Sequence, residues 1–256
     1  MESESAEDIN SYIPLRYRSL ATNQRFLEFN HPYFGKFEEH IKKNLEERIP
    51  EFGSKYLWGE DRKLLKECRA HAGAFSKQRK KILDATVMLV HPFYAHLSHS
   101  DKVSGEDALS EMNYYLDELI DFVEQSQKLG AKVVLFETIH HYAASTSSLL
   151  EEGFVDSVFF TEYDSGMPID LRRLYEYRKD SVFFSGGYNG KCLSTAINVI
   201  KSFSESLDLW GVHELMLNSP QDCVGSLKVK KVKHLDRKRI ISKEEALKKI
   251  KKKTTR

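Results

Sequence analysis

The sequence predicts a three-layer α/β fold, doubly wound around a mostly parallel sheet of five or six strands. Two observations carry the prediction. Between residues 85 and 225, short and continuously apolar runs recur, as strands buried on both faces require. Segments with helical periodicity and helix-end signals separate several of them. The chain divides into four parts on this reading: residues 1–12, disordered; 13–84, a helical N-terminal segment packed on the core; 85–225, the α/β core; and 226–256, a basic C-terminal tail.

The opening "MESESAEDIN" is acidic and serine-rich, without the basic and then apolar layout of a signal peptide. In "FGKFEEHIKKNLEERI", Phe34, Phe37, Ile41, Leu45 and Ile49 recur at spacings of three and four, the mark of one apolar helix face, and Pro50 and Gly53 end it. A second helix is expected over "DRKLLKECRAHAGAFSKQRKKIL", with Leu64, Leu65, Cys68 and Phe75 on its apolar side, so Cys68 reads as core. The strand candidates are "ATVMLVHPF", "KVVLFETI", "DSVFFTEY", "DSVFFSGG" and "GVHELMLN". Between the first two lies "GEDALSEMNYYLDELIDFVEQSQKLG", acidic in its first turn and closed by Gly130; between the last two lies "KCLSTAINVIKSFSESL". In the tail, "SKEEALKKI" offers a capping box of Ser242 and Glu245 for a short terminal helix whose last residues, "KKIKKKTTR", are expected to fray.

With 256 residues, 41% apolar and 30% charged, the chain is long enough for a sizeable core. No run approaches the roughly 20 apolar residues of a membrane span, so a membrane partner is not expected and a cytoplasmic location is. Cys68, Cys192 and Cys223 form no CxxC pair and no disulfide framework, and read as free thiols, Cys223 an inert one. The net charge of +1 conceals an uneven distribution: residues 226–256 hold fourteen Lys or Arg against three acidic residues, a net of +11, which leaves −10 on the remainder. That tail is a candidate surface for nucleic acid or an acidic partner. No zinc motif, helix-turn-helix or aromatic platform accompanies it, and the same charge can pair with the acidic body.

Open parallel sheets bind ligands beyond the carboxyl ends of their strands, where loops converge and helix N-termini present N–H groups. The segments there are "HPFYAHLSHSD", "ETIHHYAAS", "TEYDSGMP", "SGGYNGKC" and "NSPQDC". Five of the ten histidines, His91, His96, His99, His140 and His141, fall in the first two, with His141 also open to a solvent-facing reading. In "SGGYNGKC", glycines permit close backbone approach, and Cys192 falls in the first turn of the next helix, where the helix dipole and Lys191 would stabilise a thiolate. Cys192 therefore reads either as a nucleophile or as a thiol packed under a turn. A Walker A phosphate loop fails, because Ser185 stands where glycine is needed and Cys192 where Ser or Thr is needed. Glu137 and Glu162 sit at strand ends, where a carboxylate either pairs with a histidine or does acid–base work. Asp164 reads as a turn residue, while Asn218 and Asp222 close the last strand.

The order of these pieces resembles the isochorismatase-like cysteine hydrolases, the superfamily that includes nicotinamidases. In that family the nucleophilic Cys follows a strand-ending Gly by six residues at the start of a helix, the spacing of Gly186 and Cys192. The likeness extends over about 140 residues, through "TVMLVHPF", "LGAKVVLFETIHHYAAS" and "SVFFTEYDSGMPIDLRRLYEYRKDSVFFSGG". It departs at Leu193, where the family has a small residue, and at Thr195-Ala196, one position early. The family's general-base Asp is replaced by His91, and its Lys by Thr161 or Glu162. What the resemblance implies is a hydrolase cleaving a C–N or related bond of a small molecule, with Cys192 as nucleophile, His91 as base and Glu162 or Glu137 orienting charge. Gly186, Gly187, Tyr188, Asn189, Lys191, Glu137 and His140 would line the substrate site. It further implies an oxyanion hole from amides near Tyr188 and Cys192, a cis peptide between Gly187 and Tyr188, and a cleft that a neighbouring subunit of a homo-oligomer can complete. Family members with nicotinamidase activity bind a metal; the histidine spacing here falls short of a ligand pattern, and no metal or cofactor is expected. The alternative is a non-catalytic descendant that binds a small ligand, nucleic acid or protein through its cleft or tail.

Overall fold

The computed structural model describes residues 59–76, 84–92, 106–162, 165–177, 180–203, 208–217 and 231–254. Six strands, β1 (Ala85–Val90), β2 (Lys132–Thr138), β3 (Ser157–Thr161), β4 (Ser181–Gly186), β5 (Asp208–Met216) and β6 (Ile240–Ile241), form one sheet in the order β3-β2-β1-β4-β5-β6. Every pairing between them is parallel. From β1 the chain steps outward through β2 to β3, then returns to β4 on the other side of β1 and steps outward again, so the winding reverses between β1 and β4.

The continuous apolar runs are strands because both of their faces are covered: β1, β3 and β4 are buried at every residue. Helix α2 (Glu106–Lys128) lies against β2 and β5, and Gly130 closes it at φ 91°, as the sequence requires. Helix α5 (Cys192–Phe203) packs on β1, β4 and a 3-10 turn, Leu171–Tyr177, that links β3 to β4. The rings of Phe136 and Phe159 stack at 5.1 Å between neighbouring strands, and Tyr177 meets Phe159 edge-on. Such ring pairs add about 0.5–1.5 kcal/mol each beyond the area they bury.

Helix α1 (Gly59–Phe75) buries Leu64, Leu65, Cys68 and Ala72 against two short helices, α3 (Ile139–His141) and α4 (Ser147–Glu151), which a π-helical turn, Tyr142–Thr146, joins. Phe75 departs from expectation and stands 44% exposed, its ring stacked on His71 at the end of the helix. Burial pushes the Cys68 thiol up to about 12. The helix expected at 34–49 lies outside the described residues.

The basic C-terminal stretch corrects the expectation of a separate tail. Residues 240–241 add the sixth strand, and α6 (Lys243–Thr254) packs on β5 and α2. The capping box forms as read: Glu245 N–H donates to Ser242 Oγ and Ser242 N–H to Glu245 Oε2, each at 3.2 Å. The helix holds through Thr254, since Ala246 and Ile250 are fully buried beneath it. Opposite charges fasten the segment. Lys243 pairs with Glu118 and Asp121 of α2, and Arg239 with Asp208 of β5. Burial works against the Lys243 ammonium, but the two carboxylates outweigh it and hold its pKa above the usual lysine range. For Asp208, burial is outweighed by hydrogen bonds from Ser181 and Arg239 and by the Arg239 charge, so its pKa lies below the usual carboxylate range. Among the described residues, no helix is long and apolar enough to cross a membrane.

Candidate functional site

The carboxyl ends of β1 and β4 meet where the winding reverses, the position at which doubly wound sheets open a crevice. Glycine is needed there. Gly186 has φ 99°, and a Cβ on it would lie 2.1 Å from Val90 O; Gly187 N–H then donates to that same carbonyl at 2.8 Å. His91, the residue after β1, holds φ at 40° although it carries a side chain. Backbone strain of this kind costs on the order of 1–3 kcal/mol and concentrates at functional positions. Its N–H continues the ladder to Phe136 O at 3.0 Å, and its buried ring reaches across β2 to place Nε2 2.9 Å from Thr161 Oγ1 of β3. Tyr115 of α2 donates its hydroxyl proton to Pro92 O at 3.2 Å and so anchors the turn that carries His91.

From Gly187 the chain makes a tight loop into α5, whose first residue is Cys192. Tyr188 N–H donates to Cys192 Sγ at 2.9 Å, and Gly190 N–H to Ser194 Oγ at 2.8 Å. A donor aimed at sulfur and the positive end of a helix act in favour of a thiolate, and burial acts against it. Asn189 N–H donates to Leu217 O at 2.7 Å, which ties the loop to the end of β5. On the other side, a Cβ on Gly166, whose φ is 75°, would lie 2.2 Å from Cys192 O, so the segment after β3 abuts the head of α5 backbone to backbone. Cys192 itself is 4% exposed.

The fold thus gathers Gly186, Gly187, Tyr188, Cys192, His91 and Thr161 around one end of the sheet. Glu162 follows directly and is half-buried; its carbonyl accepts from Ser165 N–H and Oγ, closing the turn that delivers Gly166. Glu137 belongs to a different pair. Its Oε1 accepts from Thr138 N–H at 2.9 Å and lies 3.2 Å from His141 Nδ1, with both side chains buried. Among the described residues Glu137 Oε2 has no hydrogen-bond partner. His141 is therefore not solvent-facing: α3 folds back over the end of β2, capped by Thr138 Oγ1, which accepts from His141 N–H at 3.1 Å. His140 lies in this same turn.

Two further expectations change. Asn189 turns its side chain away to donate to Lys231 O at 2.7 Å, and Lys191 is solvent-exposed, so neither side chain is drawn into the buried centre. No peptide bond among the described residues is cis, that between Gly187 and Tyr188 included, and the Tyr188 amide faces sulfur. His96, His99, Asp164, Asn218, Asp222 and Cys223 lie outside the described residues. Gly166 escaped the sequence reading because "DSGMP" signals a turn but not what the turn touches.

No protein-family model matches the chain, and neither curated proteins nor solved structures give a match. The chemistry of the site rests on its own geometry.

Proposed function

We propose that the chain is a cysteine-dependent hydrolase acting on a C–N or related bond of a small molecule at the carboxyl ends of β1 and β4. The Tyr188 N–H held 2.9 Å from Cys192 Sγ at the head of α5 carries this reading. The Cys192 thiolate would attack the acyl carbon, His91 would hand the thiol proton to the leaving nitrogen as the C–N bond breaks, and water would then cleave the thioester. Thr161 engages His91 Nε2, so Nδ1 is the nitrogen that would carry the proton. Glu162 is the carboxylate left to orient charge, since Glu137 is committed to His141.

A second reading, a non-catalytic module that binds a small ligand at the same strand ends, draws on the near-complete burial of Cys192. The pH profile of iodoacetamide alkylation of Cys192, with Cys68→Ala and Cys223→Ser in place, separates the two. Burial slows the reaction and opposes the thiolate, as at Cys68, so only stabilisation of the thiolate by its surroundings can bring the midpoint below the free-thiol value. A midpoint well below the free-thiol value of roughly 8.5, raised by His91→Asn, supports the hydrolase. An ordinary or higher midpoint, unmoved by His91→Asn, removes the nucleophile and leaves the binding module.

A further inference from the structure

The C-terminal segment divides its cations between two tasks. Arg239, Lys243 and Lys249 turn inward: Arg239 pairs with Asp208 and lies 4.4 Å from the Trp210 ring centroid, Lys249 lies 3.7 Å from the same centroid, and Lys243 pairs with Glu118 and Asp121. Lys231, Lys233, Arg237, Lys238, Lys251 and Lys253 stand exposed on the folded surface that results. What reads in sequence as a loose basic tail is an array of charges on a fixed scaffold.

We propose that this exposed basic segment binds the phosphate backbone of nucleic acid without sequence preference. The apolar side of α6 is used up, with Ala246 and Ile250 fully buried, so the helix has nothing to insert into a bilayer. Protein interfaces rely on aromatic and apolar anchors and are poor in lysine, whereas no large hydrophobic side chain of residues 231–254 is exposed. A phosphate backbone asks only for spaced point charges. Residues 1–225 carry a net −10, so the attraction for a polyanion comes from this segment.

The test is fluorescence anisotropy of labelled 20-base-pair duplexes of two unrelated sequences with the full chain at 50 and 200 mM salt. Equal binding of both duplexes at 50 mM is expected, falling about 10³-fold at 200 mM if six phosphates are engaged. Lys238→Gln/Lys251→Gln/Lys253→Gln should lower the slope of log K against log salt by about 3 without moving the thermal midpoint. The proposal is overturned by no binding at 50 mM, by a triple variant with an unchanged slope, or by phosphatidylserine vesicles or polyglutamate binding as tightly as the duplexes.

Discussion

Replacing Gly166 with alanine probes the contact that seats the nucleophile helix. Two costs arise at this position. A side chain at φ 75° costs about 1–2 kcal/mol relative to right-handed backbone, part of which is recovered because alanine has less freedom to lose from the unfolded chain. The second cost is steric: the new Cβ would sit 2.2 Å from Cys192 O, 2.7 Å from its carbonyl carbon and 2.9 Å from its Cα. These are backbone atoms at the head of a helix already held by Tyr188 and Ser194, so one segment must move by about an ångström, and overpacking of that kind adds about 1–3 kcal/mol. Gly190 supplies the control. It has φ 83° but open space around its Cβ position, so Gly190→Ala carries only the conformational cost, about 1 kcal/mol. In urea unfolding the expected losses are about 2–4 kcal/mol for Gly166→Ala and about 1 for Gly190→Ala, or at about 2–4 °C per kcal/mol a clearly separated pair of melting points. The alkylation midpoint of Cys192 should also shift in Gly166→Ala alone. Equal losses for the two variants would refute the contact.

Four other outcomes follow from the same geometry. His141→Ala leaves the buried Glu137 side chain with the Thr138 N–H alone and should cost about 1–3 kcal/mol in chemical denaturation; a loss under about 0.5 kcal/mol would mean the pair does not hold the end of β2. Lys243 has a raised pKa, so its contribution is whole below the usual lysine value of about 10.4 and fades as pH rises through the folded value; Lys243→Gln should flatten that alkaline decline in thermal melts, and an unchanged decline would count against the pairing. Asp208 runs the other way: its contribution is whole above about 3.9 and is lost as pH falls through its depressed folded value, so Arg239→Gln should move the acid unfolding midpoint to higher pH. Cys68, pushed up to about 12, should resist iodoacetamide in the native protein at pH 9 and react only as the chain unfolds.

Much of the architecture was legible because its signals are local. Apolar runs such as "VMLV" and "VVLF" can satisfy both faces only inside a covered parallel sheet, Gly130 can end a helix with no help from elsewhere, and Ser242 and Glu245 cap α6 through bonds that span three residues. The loop around Cys192 announced itself for a similar reason, since glycine spacing and a helix start are properties of one short stretch.

What the sequence by itself determined, then, is the class of fold, the identity of the loop at its centre and the imbalance of charge toward the C-terminus. Only the tertiary structure decided that His91 reaches to Thr161, that Glu137 pairs with His141, that Gly166 presses on the backbone of Cys192, and that the basic segment forms the edge of the sheet. The physical reason is separation along the chain. The His91–Thr161 bond spans 70 residues and the Arg239–Asp208 pair spans 31, and such contacts depend on strand order and register, which no local pattern encodes. Even Glu137 and His141, four residues apart, meet because the chain turns from strand into helix between them, and the space that turn occupies is set by the elements packed around it.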